Sequence, residues 1–217
     1  MHHKDNVNSK FAVKIYSKQK ENDGGVRHFQ QECQYLSKLD HPYIVKLGPY
    51  SDSGKLQTQS GGEMDIRYSV LELAESGNLL DYVMNKPMNE LIVRFYFKQL
   101  LEATKYMHDQ GVVHRDIKLE NLLLDKDFNM KMSDFGFATD LKGSGASGLL
   151  FECKGTPGYM APEMFANNGY DGELTDVFAL GVVLFALLLG RPPFYMADPA
   201  NDEFYGRICR GEFAQFW

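Results

Sequence analysis
The stretch GVVHRDIKLENLLLDKD, Gly111 to Asp127, constrains the fold of this chain more than any other part of its sequence. His114, Arg115, Asp116, Lys118, Glu120 and Asn121 crowd into one short run. Val112 and Val113 stand directly before it, and Leu122, Leu123 and Leu124 directly after. A charged cluster on a solvated face needs no apolar neighbours on both sides. Short apolar runs around a polar segment read instead as buried strands, and such strands hold a loop in a fixed place. The chain must fold so that a core grips both ends of a loop rich in acids, bases and an amide.

With 217 residues, 44% hydrophobic and 24% charged, the chain is long enough for one large or two small packed domains. A net charge of −6 gives no electrostatic reason to expect nucleic acid or an anionic membrane as a partner. Cys33, Cys153 and Cys209 are far apart and form no Cys-x-x-Cys pair, so neither a disulfide framework nor a zinc site is supported. A reducing compartment fits: the cytoplasm, with the nucleus also open. The opening MHHKDNVNSK has no apolar core of signal-peptide length and no glycine after the methionine. The longest apolar run, Val177 to Gly190, is shorter than the roughly 18 to 20 residues that cross a bilayer. It reads as a helix buried on all sides, capped by Asp176 and stopped by Pro192 and Pro193.

KFAVKIYSK sets Phe11, Val13 and Ile15 against Ala12, Lys14 and Tyr16, the period of a strand, so Ala12 and Lys14 share a face. Val26, Phe29, Cys33 and Leu36 recur at helical spacing, and the helix they predict carries Glu32. YIVKL and DIRYSVLEL are further strand candidates. Between them, GPYSDSGKLQTQSGGEM has the glycine and serine content of a flexible surface excursion. From Gly77 onward the pattern is helical. NLLDYVMN is short, while NELIVRFYFKQLLEATKYMHDQ is long, with Asn89 as its cap and Gly111 at its end. NLLLDKDFNMKMSDFG reads as a hairpin whose second strand delivers Asp134.

HRDIKLEN at His114 to Asn121, DFG at Asp134 to Gly136 and APE at Ala161 to Glu163 follow in the order and approximate spacing of eukaryotic protein kinases. The chain resembles that family along essentially its whole length. FAVK stands where the family has its strand lysine, and DVFALG resembles the start of its central helix. DFG or APE alone would be weak; the ordered set is specific. The HRDIKLENLLL version is most similar to the calcium/calmodulin-dependent kinase group. The resemblance implies an α+β, two-lobed fold: residues 1–73 as a small antiparallel-sheet lobe with one helix, and 74–217 as a mainly helical lobe. It also implies transfer of the γ-phosphoryl group of ATP, with Mg2+, to Ser/Thr hydroxyls of protein substrates.

Such a reaction asks the protein for neutralised phosphate charge and an in-line hydroxyl rather than covalent chemistry. By resemblance, Asp116 orients the substrate hydroxyl and accepts its proton, and Lys118 steadies the transferring phosphate. Asn121 and Asp134 hold magnesium through hard oxygens. Lys14 contacts the α and β phosphates and pairs with Glu32. Ala12, Leu71 and Leu123 complete the ATP site, Leu71 as gatekeeper, with adenine contacted by the backbone of Glu72 and Ala74 in the hinge LELAESG. Leu36, Leu47, His114 and Phe135 match the family's stacked apolar spine, and Asp176 matches the acceptor for the catalytic-loop backbone. Lys118 and the Thr156 of GTPGYMAPE match the serine/threonine version of the site.

Basophilic relatives bind arginine through several acids. Here Asn78, Gly158 and Ala186 occupy three of those positions and Glu120 alone remains, so the implied arginine preference is modest. In regulated relatives Arg115 pairs with a phosphorylated residue of the activation segment. The slot four positions before Thr156 here holds Glu152, which implies a segment ordered without an upstream kinase.

The family's Gly-rich loop precedes its strand lysine, yet residues 1–13 contain no glycine, and Gly24 and Gly25 follow Lys14. The family's closing helices do not follow GEFAQFW. The expectation is a piece of a complete kinase that binds ATP weakly and with magnesium. The alternative is a catalytically impaired kinase-like binding or scaffold module. A small-molecule kinase fits less well, because GTPGY and APE form a segment that docks protein substrates. Neither the substrate nor a regulatory partner is legible in the chain.

Overall fold
The computed structural model describes all residues except 1, 4–5, 19–23, 60, 85, 144–146, 167 and 217, and only the backbone of 2–3 and 6–9. The N-terminal part is a four-stranded antiparallel sheet in the order β1-β2-β4-β3, formed by β1 (His2–His3), β2 (Asn6–Ser17), β3 (Leu47–Gln57) and β4 (Glu63–Glu72). Helix α1 (Gly25–Leu36) packs on it. Strand β2 pairs with β4 from Phe11↔Glu72 to Ser17↔Ile66, which puts Ala12 opposite Leu71 and Lys14 opposite Ser69. The strand period of two carries Lys14 and Tyr16 to the same face. On α1, Phe29, Cys33 and Leu36 are buried as their spacing predicts, and Glu32 is buried with them.

Two strand expectations need correction. Tyr43 to Lys46 is not a strand. Ile44 makes a single parallel bridge to Met132, and the Val45 N–H donates to the Met132 carbonyl at 3.0 Å. Both side chains are in the core, so the segment's apolar character reports burial rather than sheet pairing. The predicted excursion over residues 48–64 is instead most of a hairpin, β3 turning into β4. Its composition misleads because β3 is an edge strand with polar side chains, and its register shifts between Leu47 and Tyr50 and between Ser51 and Gly54. Position 54 is tight: a Cβ there would lie 3.0 Å from the Tyr68 ring, which would have to give way to admit it.

The C-terminal part is helical. It comprises α2 (Leu79–Val83), α3 (Glu90–Asp109), α4 (Gly172–Leu189), α5 (Glu203–Arg210) and α6 (Phe213–Phe216). Asn89 caps α3, its side chain accepting from the Leu91 N–H, and Gly111 closes the helix at φ 74°. The short strands β5 (Val112–Val113) and β8 (Thr139–Asp140) pair, as do β6 (Leu122–Leu124) and β7 (Met130–Met132). Val112, Val113, Ile117, Leu119, Leu122, Leu124, Met130 and Met132 are all buried, so both fences of the polar loop lie in the core.

Helix α4 departs from expectation twice. It begins at Gly172 with Asp171 as cap, accepting from the Glu173 and Leu174 N–H groups, which leaves Asp176 free for other work. It is also one-sided: Ala179, Leu180, Val183 and Leu187 are buried, but Leu174 is 60% and Val177 52% exposed. Its 18 residues, with mean hydropathy 2.0, have the length and composition to cross a bilayer, but half of that span is buried inside the protein. It packs against α3 and β5 as a core helix does.

Candidate active site
The polar loop hangs from a buried carboxylate. Asp176 Oδ2 accepts from the His114 backbone N–H and Oδ1 from the Arg115 N–H, each at 2.9 Å. His108 Nε2 lies 2.9 Å from the same Oδ2. These bonds hold Arg115 at φ 65°, a left-handed conformation that costs a non-glycine residue about 1–3 kcal/mol. The His114 ring tightens the turn. Its Nδ1 accepts from the Asp116 N–H at 3.2 Å, so Nε2 carries the proton and donates to the Ser133 carbonyl at 3.1 Å. The ring meets Phe135 edge to face at 4.7 Å. Leu36, His114 and Phe135 are buried in the same region of the core, and Leu47 packs against it, as the spine expectation has it.

Within the loop, Asp116 Oδ1 accepts from the Thr156 hydroxyl at 2.7 Å. Lys118 Nζ lies 2.8 Å from Asp116 Oδ2 and donates to the Thr156 oxygen at 2.8 Å. Asn121 Nδ2 donates to the Asp116 carbonyl at 2.9 Å and to its Oδ2 at 3.2 Å. That orientation turns the amide oxygen of Asn121 away from Asp116.

A second cluster forms where sheet, helix and the end of the β6–β7 hairpin meet. Lys14 Nζ lies 2.9 Å from Glu32 Oε1 and 2.7 Å from Asp134 Oδ1. Burial opposes the charged ammonium, but attraction to Glu32 and then Asp134 outweighs it and raises the Lys14 pKa. Burial likewise works against the Asp134 carboxylate, and Lys14 overcomes it, leaving that pKa lowered. Glu32 is 0% exposed. Its Oε2 accepts from the Tyr16 hydroxyl at 2.8 Å and from the Ser69 hydroxyl at 3.4 Å. Further contacts dock α1 onto the turn after Asp134: Gln31 Nε2 donates to the Ala138 carbonyl at 3.1 Å, and the His28 and Phe137 rings are 4.6 Å apart.

The sequence reading named Lys14, Glu32 and Asp134 but missed Tyr16 and Ser69. Tyr16 had a signal, since the alternation already put it on the face of Lys14. Ser69 had none, because its place opposite Lys14 depends on register.

The other residues that the resemblance implies for a nucleotide site lie as follows. Ala12 and Leu71 are paired across β2 and β4, and Leu123 lies in β6. Glu72 donates its N–H to the Lys46 carbonyl at 2.9 Å, so that N–H is already engaged, and its side chain holds Lys131 at 2.7 Å. Ala74 lies in the segment between β4 and α2, half-buried. Among the described residues no group of three or more His, Cys, Asp or Glu is placed to hold a metal. Magnesium needs no such cage, since it commonly takes one or two protein oxygens and completes its shell with phosphate and water. The Asn121 amide oxygen and the 45% exposed Asp134 carboxylate are hard oxygens that fit it.

Next to Leu119 of the polar loop runs a groove of about 520 Å³. Glu120 lines it with Leu80, Val83, Tyr159 and Ala186. Burial and then the Glu120 charge push the Tyr159 hydroxyl up to about 12. Asn78 does not line the groove; its side chain caps α2, accepting from the Asp81 N–H.

Glu152 collects three cations: Lys154 at 2.8 Å, Arg27 of α1 at 3.2 Å and Arg115 at 3.8 Å. Its pKa is lowered, chiefly by the hydrogen bond from Lys154 and then by the charges of Lys154, Arg115 and Arg27, against the cost of burial.

A sheet-and-helix part over a helical part, with a lysine–glutamate pair facing a hairpin aspartate and a tethered polar loop, is the architecture of a protein kinase. The protein kinase domain family model matches residues 1–212, and the chain belongs to that family. It is 37% identical over 209 residues to CBL-interacting serine/threonine-protein kinase 12 of Arabidopsis thaliana, covering 95% of this chain and 40% of that protein. CBL-interacting protein kinase 11 of Oryza sativa subsp. japonica is 38% identical over 205 residues, 93% of this chain and 38% of the relative. CBL-interacting serine/threonine-protein kinase 20 of Arabidopsis thaliana is 38% identical over 203 residues, 93% and 44% respectively. The chain thus spans less than half the length of these curated relatives.

Proposed function
We propose that this chain is the catalytic part of a protein serine/threonine kinase, which moves the γ-phosphoryl group of ATP to Ser/Thr hydroxyls of protein substrates. The observation that carries the reading is the Thr156 hydroxyl held between Asp116 Oδ1 at 2.7 Å and Lys118 Nζ at 2.8 Å. An acceptor and a cation flanking a hydroxyl are what such a transfer requires. Asp116 takes the proton as the hydroxyl oxygen bonds to phosphorus, and ADP leaves with the electrons of the broken bond. Lys118 offsets charge on the moving group. Lys14, fixed by Glu32, meets the α and β phosphates. Asn121 and Asp134 hold Mg2+, which when bound neutralises charge on the β and γ phosphates. Ala12, Leu71 and Leu123 line the nucleotide site, with the Glu72 carbonyl and Ala74 N–H toward adenine.

Three further readings belong to the proposal. Glu120 is the acid we assign to substrate arginine, and a single acid supports a modest preference. Glu152 substitutes for an activation-segment phosphate, supported by its three cations. A regulatory partner of the CBL kind recorded in the relatives' names, and a cytoplasmic location fitting the free Cys33, Cys153 and Cys209, complete it.

Calorimetric titration with ATP, with and without Mg2+, followed by phosphoamino-acid analysis of peptide products, tests the central reading. Binding should be magnesium-dependent and the products phosphoserine or phosphothreonine. Asp116→Asn should lower transfer by about 10²- to 10⁴-fold. Transfer confined to tyrosine, or undiminished in Asp116→Asn, would overturn it.

A further inference from the structure
Lys14 is shared between two carboxylates of different character. Glu32 is fully buried and Asp134 is half exposed, and the two compete for one ammonium at 2.9 and 2.7 Å. A buried carboxylate with a single partner can rotate until its other oxygen finds one. If Glu32 turned away, Asp134, which already holds Lys14 Nζ at 2.7 Å, would be left as its sole carboxylate partner, and the tighter pair would compete with magnesium for that carboxylate. Something must hold the second oxygen of Glu32.

We propose that Tyr16 is a positioning residue for nucleotide and magnesium binding, locking Glu32 so that Lys14 stays shared between its two acids rather than pairing with Asp134 alone. The inference rests on the kinase reading above. Tyr16 lies two residues after Lys14 on β2, so the strand period brings both side chains to α1 together. Its hydroxyl donates to Glu32 Oε2 at 2.8 Å, the oxygen that Lys14 does not use. The ring is braced in turn. It meets Phe29, one helical turn before Glu32, edge to face at 5.4 Å, and Lys14 Nζ lies 5.7 Å from its centroid. One phenol therefore touches the helix, the carboxylate and the lysine. Ser69 reaches the same oxygen at 3.4 Å, a longer contact from the neighbouring strand. Burial and then the Glu32 charge raise the phenol pKa, so the hydroxyl remains a donor at every pH at which the protein would work.

Tyr16→Phe removes the hydroxyl and keeps the ring on Phe29. The test titrates the 217-residue chain with a non-hydrolysable ATP analogue at a series of Mg2+ concentrations, with thermal unfolding measured in parallel. Loss of one charge-assisted hydrogen bond should weaken analogue binding about ten-fold. The Mg2+ concentration for half-maximal binding should rise several-fold, because Lys14 is then shared less with Glu32 and held more tightly by Asp134. Ser69→Ala should move both quantities less. In a Glu32→Gln background, Tyr16→Phe should add nothing.

A tyrosine that merely packs would lower the unfolding midpoint and leave the magnesium requirement alone, and that result overturns the inference. So does a Tyr16→Phe variant that binds like a parent which itself shows magnesium-dependent binding. A parent that fails to bind the analogue with magnesium sinks the kinase reading, and this inference with it.

Discussion
The Asp116 site and the Lys14 site are built in opposite ways. Asp116, Lys118 and Asn121 come from one short run of chain, tied within itself by the Asn121 amide on the Asp116 carbonyl and from outside by Asp176 on the loop backbone. Lys14, Glu32, Ser69 and Asp134 come from β2, α1, β4 and the end of the β6–β7 hairpin, and the Lys14–Asp134 contact spans 120 positions. The first site is anchored by redundancy: buried strands on both sides, Asp176 below and His114 across the turn. The second hangs on one buried carboxylate reached by three side chains. A local site tolerates movement of its surroundings, whereas a site assembled from four elements moves whenever α1 does.

Asp176 is where the local site should prove most fragile. Asp176→Ala strands two buried N–H groups and releases the strained Arg115 backbone, so stability should fall by about 3–5 kcal/mol. For a chain of this size that is a drop in unfolding midpoint on the order of 10 °C. A loss no larger than that from an exposed ion pair would mean the loop does not hang from Asp176.

Glu32→Gln keeps the shape and removes the charge. It should weaken magnesium-dependent nucleotide binding about ten-fold, with a smaller effect on stability than Asp176→Ala. An effect on stability exceeding that of Asp176→Ala would reverse the comparison.

Glu152→Gln should act more weakly still. Glu152 and Arg27 are more than half exposed, though Lys154 and Arg115 are mostly buried, and pairs to so exposed a carboxylate are screened to about 0–1 kcal/mol. Phosphatase-treated parent should keep its transfer activity, and the variant should lose a few-fold of it. Equal activity in the two, or a silent treated parent, would show that Glu152 does not order the segment.

The pH dependence has a definite sign. The folded pKa of Glu152 lies below its ordinary 4.5, so its contribution is complete above that pH and is lost as pH falls through the folded value. For Lys14 the folded pKa lies above the ordinary 10.5, so its contribution is complete below that pH and is lost as pH rises through the folded value. Acid should therefore loosen the segment around Glu152 and alkali should disturb Lys14, and segment proteolysis across the pH range reads both ends. The smallest effect belongs to the exposed pair Arg94 and Glu90, an i,i+4 contact whose loss in Arg94→Ala should cost about 0.3–0.5 kcal/mol.

What the sequence determined by itself was everything that depends on near neighbours. The fenced loop, the β6–β7 hairpin, the Asn89 cap, the Gly111 stop and the shared face of Ala12, Lys14 and Tyr16 follow from periods and caps a few residues long. Tertiary structure decided whatever needs a distant partner. The edge strand β3 looks like a loop because only pairing with β4 gives its polar residues an extended shape. Asp176 looks like a cap because its spacing from the apolar run is right, yet the N–H groups it serves lie 62 and 61 positions away. Helix α4 is apolar all round in composition, but only packing fixes which stripe is covered. The Ser69 hydroxyl on Glu32, and Arg27 and Lys154 on Glu152, have no signature in sequence, because hydrogen bonds and ion pairs form between whichever groups folding brings within about 3 to 4 Å.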